Sequence, residues 1–179
     1  ADITYPRTLE AEGLAHGTTR PYALGRIVLW SATRDARMLE LKDLADPAIG
    51  RIAIANPRHA PYGKRAEEAL RAAGVWEAVQ PRLVQGENIA QTAQFVQTGN
   101  AAVGIIALSL ALNPVLAAQG GYTLIDAGLH EPLEQGFMLT RAAAGKPLAT
   151  AFAEFIGSES ARAVLRRYGF ELPAVSAGR

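Results

Sequence analysis

Twice in this chain a short apolar strand runs through a turn directly into a helix, and that repeated unit limits the folds available to it. In "RIAIANPRHAPYGKRAEEAL" (51–70), Ile52, Ala53, Ile54 and Ala55 form an apolar run bounded by turn residues, the mark of a strand buried on both faces. Asn56 and Pro57 stop it. Beyond Pro61, the residues Glu67, Glu68, Ala69, Leu70 and Ala73 fall at helical spacing, and Gly74 is placed as the C-terminal stop. "VQGENIAQTAQFVQTGNAAVGIIAL" (84–108) repeats the design. A strand end at Leu83 and Val84 leads through Gly86 to Asn88, a good N-cap, and Ile89, Thr92, Ala93, Phe95 and Val96 recur at helical spacing until Gly99 and Asn100. "AAVGIIAL" is the next buried strand. Strand, helix, strand, helix, strand implies an α/β fold with a largely parallel sheet covered on both faces.

Around these units, "GRIVLWSA" (25–32) is a further strand and "GYTLIDA" another. Residues 5–12 read as the tail of a helix ended by Gly13. "LELKDLADPAIG" reads as a short helix that Asp46 and Pro47 end, and Trp76 and Val79 as a loop packing onto the helix before them. "EPLEQGFMLTRAA" (131–143) is a long extended segment. Lys146 and Pro147 then open a helix through Phe155, and Ser158 caps a second one carrying Ala161, Val164 and Leu165. Both have apolar faces with little sheet nearby in sequence to cover.

Pro61 occupies the first helical turn, where no N–H is needed. The amides of Tyr62, Gly63 and Lys64 therefore point outward from the positive end of a helix at the carboxyl end of a strand, a place suited to anions. An ordinary strand-to-helix connection holding only water accounts for the same residues.

Composition narrows the function classes. The chain has 18 basic and 17 acidic residues, and the basic ones are dispersed, so neither a nucleic-acid stripe nor a polybasic membrane patch is expected. The absence of cysteine excludes disulfides, thiolate metal sites and cysteine nucleophiles. His16, His59 and His130 form no i, i+4 pair, which argues against a bare metal cation. No apolar run reaches membrane-spanning length and no signal peptide opens the sequence, so a secreted protein of this sequence would be a processed or trimmed form.

The segments "GRIVLWSA", "GRIAIANPRHAPYGKRAEEALRAAGVWEAV", "LVQGENIAQTAQFVQTGNAAVGIIALSLA", "EPLEQGFML" and "FAEFIGSESARAVLRRYGF" together resemble the molybdate-binding periplasmic proteins of ABC importers, in order and over essentially the whole chain. The resemblance implies a type II periplasmic binding protein fold: two α/β lobes joined by two crossing strands, with the oxyanion in the cleft between them. "RPYALGRIVLW" corresponds to the first crossing strand and "LEQGFML" to the return. Residues 27–130 then make one complete α/β lobe with a mostly parallel sheet, and residues 1–26 and 131–179 a remnant of the N-terminal lobe. The serine-bearing loops of that lobe have no match here, so the chain is expected to be truncated, with weakened binding and self-association through the incomplete lobe.

The ligand implied is molybdate or tungstate, with molybdenum present only as its oxyanion and no cofactor. The partner implied is a membrane permease, and the location is the periplasm. By resemblance, Tyr62 falls beside the anion and donates through its amide, its hydroxyl or both, in a turn shaped by Pro61 and Gly63. Ile89 offers the backbone amide of the next helix start, after its cap Asn88. A third family position, a tyrosine after the "GI" strand, corresponds here to Ala107. Arg58, His59 and Lys64 read as solvated cations that raise the local potential and the on-rate rather than as direct ligands. Two other classes stay open: a binding protein for sulfate or thiosulfate, and a hydrolase using Ser31 or Ser109 with a histidine. Neither serine has a GxSxG elbow around it. A regulator's effector domain shares the fold, but the chain shows no helix-turn-helix.

Overall fold

The structure, a computed structural model, describes residues 1–173. Residues 174–179, the end of the segment assigned to the remnant lobe, lie outside the described residues. In chain order the elements begin with α1 (Thr4–Ala11), β1 (Ala15–Gly25), β2 (Ile27–Ser31), β3 (Ile52–Ala55), α2 (Pro61–Ala72), α3 (Trp76–Val79), β4 (Leu83–Gly86) and α4 (Ile89–Gln97). They continue with β5 (Val103–Ala107), α5 (Leu108–Ala111), α6 (Pro114–Gln119), β6 (Gly121–Leu124), β7 (Leu133–Thr140), α7 (Pro147–Ile156) and α8 (Glu159–Arg167). The chain divides into two compact units, Arg26–Leu133 and Ala1–Gly25 with Glu134–Arg179.

The Arg26–Leu133 unit is built on a five-stranded sheet in the order β4-β3-β5-β2-β6. β3 runs parallel to both β4 and β5, whereas β2 is antiparallel to β5 and β6. Four strands therefore share one direction and β2 alone is inverted. Helices return the chain to the same end of the sheet before β4 and β5, and β2 takes its opposite direction in pairing with β5 and β6.

Every residue of β2, β3 and β5 is buried. Alternation along these strands sorts them into two cores. Ile27, Leu29, Ile52, Ile54, Val103 and Ile105 pack with Ala66, Ala69 and Leu70 of α2. Val28, Trp30, Ala53 and Ile106 pack with Ala93 and Val96 of α4. The two helices thus cover opposite faces of one sheet.

The segment read as one short helix before β3 is instead three 3-10 turns, Ala36–Met38, Leu41–Ala45 and Pro47–Ile49. Glu40 and Asp43 cap the second reciprocally, and Asp46 accepts from the Ala48 N–H to start the third. Local side-chain acceptors have taken the backbone donors that a continuous helix would use. Trp76 and Val79, read as loop, lie on α3, both buried. α5 and α6 went unread. They are short, and Asn113 with Pro114 starts α6 through the Asn113 acceptor on Val115 N–H.

The segment 20–30, expected as one crossing strand, is divided at Arg26 between β1 and β2; in the other unit β1 pairs with β7, which contains the expected return segment, in a two-stranded sheet. Asp2 bridges to Gln135 and Leu24 to Glu171. α1 ends as read, with Gly13 at φ +72°. α7 and α8 form where Lys146–Pro147 and Ser158 place their starts. Leu148, Phe152 and Phe155, spaced i, i+4 and i+7 on α7, are exposed, as is Val164 on α8.

Candidate functional site

Ala55 and Gly86 are register partners, so parallel β3 and β4 end at the same level of the sheet. Each then turns into a helix, α2 on one face and α4 on the other. The two turns are joined directly: the Asn56 N–H donates to the Gly86 carbonyl at 2.8 Å. His59 Nε2 donates to the Glu87 carbonyl at 3.0 Å and lies 3.3 Å from its carboxylate. Two helix N-termini therefore stand side by side at the carboxyl edge of the sheet, where peptide dipoles and unused amides favour negative charge.

At the first terminus, Pro61 is the first helical residue and contributes shape rather than a donor. Tyr62 follows, with its ring half-buried against the α2 core. Gly63 is buried and pressed against the strand it follows, for a Cβ there would overlap the Ala55 carbonyl oxygen. The Lys64 amide is not part of the site, contrary to the sequence expectation. It donates to the Ala60 carbonyl at 3.0 Å, making the first intrahelical bond. Lys64, Arg58 and His59 are exposed.

At the second terminus, Asn88 caps α4 by accepting from the Gln91 N–H at 2.9 Å, and its carbonyl accepts the Thr92 amide and hydroxyl. Gln91 reaches back to accept the Glu87 N–H at 2.7 Å. Ile89 is the first residue of the helix and packs its side chain on the α4 core. Among the described residues, the amides of Gly63, Ile89 and Ala90 have no acceptor within the chain. They are the first-turn donors that a helix leaves for water or a ligand.

Ala107 closes β5 and is buried, so that position brings no phenol. Ser31, a candidate nucleophile of the hydrolase reading, is buried and occupied. Its hydroxyl donates to the Ala102 carbonyl at 2.7 Å and accepts from the amides of Thr33 and Arg34. Among the described residues, no group of three or more His, Asp or Glu side chains is placed to hold a metal ion. No helix among them is long and apolar enough to cross a membrane.

Sequence reading gives Asn56 only the role of ending a strand. In the structure it is buried and organises the first turn: Oδ1 accepts from the Arg58 N–H at 3.1 Å, and its carbonyl accepts from Ala60 at 2.9 Å and His59 at 3.3 Å. An Asn followed by Pro is the legible signal of such a side-chain turn.

A pair of helix starts offering neutral donors at adjacent strand ends lies where open α/β sheets commonly bind ligands. The chain matches the bacterial extracellular solute-binding protein family over residues 1–171 and belongs to it. It is 36% identical over 173 residues to the molybdate-binding protein ModA of Azotobacter vinelandii, covering 96% of this chain and 69% of that protein. To the molybdate-binding protein ModA of Rhodobacter capsulatus it is 35% identical over 172 residues, covering 95% and 66%. The solved periplasmic molybdate-binding protein of Azotobacter vinelandii superposes with a TM-score of 0.88 at 30% identity, covering 97% of this chain and 76% of that one. The chain thus spans about two thirds of the length of these curated relatives.

Proposed function

We propose that this protein is the solute-binding component of an ABC importer and that its ligand is a tetrahedral oxyanion, molybdate or tungstate. The observation that carries the reading is the pair of helix N-termini, α2 and α4, hydrogen-bonded together through Asn56 and Gly86 in a chain whose relatives bind molybdate. The amides of Gly63 and Ile89 and the Tyr62 donor group bind the anion, in turns shaped by Pro61 and capped by Asn88. A dianion that must later be released suits neutral donors, which attract charge without the grip of a fixed cation pair. Exposed Arg58 and Lys64 add positive potential around the turn and speed encounter. The partner is the membrane permease of the importer, and the location is the periplasm. The apolar stripe of α7 favours association between copies.

A third of each curated relative has no counterpart in this chain. Two or three donors from such a segment, at about 1.5–3 kcal/mol each to a charged ligand, are worth roughly 3–9 kcal/mol. Starting from a nanomolar site near −12 kcal/mol, the chain alone is expected to bind somewhere between about micromolar and several millimolar, the weak end being close to undetectable. Isothermal titration of the 179-residue protein with molybdate, tungstate and sulfate tests this. Measurable heats for the first two, with dissociation constants of millimolar or tighter and sulfate at least tenfold weaker, are expected. Equal affinity for sulfate would move the protein to the sulfate-binding reading, and no heat with any of the three would contradict oxyanion binding.

A further inference from the structure

Within the unit formed by Ala1–Gly25 and Glu134–Arg179, residues of β1, β7, α7 and α8 line a cavity of about 100 Å³. Arg20 and Tyr22 are two apart on β1 and so share a face of that strand. Both meet Phe137 of β7: the Arg20 guanidinium lies 5.2 Å from the centre of its ring, and the Tyr22 ring is tilted against it at 6.1 Å. Among the described residues Arg20 has no hydrogen bond or ion pair, so the ring holds the cation while its N–H groups stay unused. Burial pushes the Tyr22 phenol up, which keeps its hydroxyl a donor at neutral pH.

Arg162 of α8 enters the same cavity. Its side chain is only 20% exposed, yet its one charged contact is Nε to Glu159 Oε2 at 3.9 Å, beyond hydrogen-bond distance. Glu159 is engaged elsewhere, its Oε1 accepting from Arg166 at 2.5 Å. A guanidinium so far out of water is ordinarily paired. Two forks of donors match the planar edge of a carboxylate. The rest of the wall is apolar, with Pro21 and Ile156 beside Phe137. An inorganic oxyanion would press oxygens against that wall, where nothing donates, whereas a hydrocarbon end packs on it. An apolar cavity of about 150 Å³ takes benzene, so this one holds a body of a few carbons.

We infer that this cavity is a second ligand site, taking a short organic carboxylate between Arg20 and Arg162 with its hydrocarbon end on Phe137. The site is independent of the oxyanion reading and stands or falls without it.

The probe is butyrate, with butyramide as its uncharged isostere and sulfate as an anion lacking a carbon body. Each is titrated into the full chain at constant ionic strength, while NMR follows the Phe137 ring protons and the amides of Gly63 and Ile89. Butyrate is expected to shift the Phe137 signals saturably, with a dissociation constant in the millimolar range or tighter, and to leave the two amides in place. Butyramide and sulfate are expected to bind at least tenfold more weakly. Arg162→Gln is expected to weaken butyrate at least tenfold, whereas Arg167→Gln, which removes the same charge from an exposed position of α8, leaves it unchanged. Glu159→Gln removes the carboxylate nearest Arg162 and is expected to tighten binding. Melting of each variant shows whether it is folded. The site is overturned if butyrate gives no saturable shift at Phe137, if butyramide or sulfate matches it, or if a folded Arg162→Gln binds as the parent does. Equal losses in Arg162→Gln and Arg167→Gln also overturn it, since they would report net charge alone. Should Arg162→Gln not fold, Glu159→Gln decides, and butyrate binding no tighter than the parent's overturns the site.

Discussion

At Gly63 a hydrogen in place of a side chain decides how close α2 comes to the end of β3. A Cβ there would overlap the Ala55 carbonyl, and that atom is backbone held in the sheet, with no rotamer to yield. Gly63→Ala is therefore expected to push the helix start outward, costing about 2 kcal/mol as overpacking. Thermal unfolding reads this as a fall in Tm of several degrees, accompanied by weaker molybdate binding. An unchanged Tm would mean that α2 does not approach the strand this closely. The glycine was legible as part of a turn, but the demand for it was not, since what a Cβ would strike is the carbonyl of a residue eight positions earlier. The Lys64 amide fails as a donor for a similar local reason. Pro61 starts the helix one residue after Ala60, so the fourth amide already has an acceptor.

Elements with a strong apolar period were readable at close to their true bounds: β2, β3 and β5 as buried runs, α2 and α4 as amphipathic helices with Gly74 and Asn88 as stop and start. The pieces that escaped are those whose structure depends on partners distant in the chain or on side-chain acceptors competing with the helix. β2's direction follows from its neighbours, β5 and β6, which come more than 70 residues later. The 3-10 turns before β3 owe their breaks to the acceptors of Glu40, Asp43 and Asp46. In α7 the period was legible and so was the lack of anything to cover it. Leu148 is 86% exposed and Phe152 65%. Sedimentation of the parent chain is expected to show concentration-dependent association at tens of micromolar, and Phe152→Lys to abolish it without lowering Tm. A parent that sediments as a monomer throughout would show that this stripe does not drive association.

On the scale of the whole molecule, the α/β fold and a family match running from residue 1 to 171 agree with a solute-binding protein. The sequence alone placed the two helix starts on the same kind of turn. What it could not show was that β3 and β4 are neighbours in register, which is what brings Gly63 and Ile89 to one edge of one sheet. The donors that this adjacency provides are backbone amides, which ordinary side-chain substitutions leave in place. Ile89 permits a direct deletion. It is the first residue of α4, where proline is well tolerated, and Asn88 before it is already extended at φ −151° and ψ 173°, as a residue preceding proline should be. The measurement is calorimetric titration of Ile89→Pro with molybdate beside Ile89→Ala, which loses similar packing but keeps the N–H. Ile89→Ala is expected to bind within about threefold of the parent and Ile89→Pro at least tenfold more weakly, the loss of one charge-assisted hydrogen bond. Equal affinities for the two variants would contradict anion binding by the Ile89 amide.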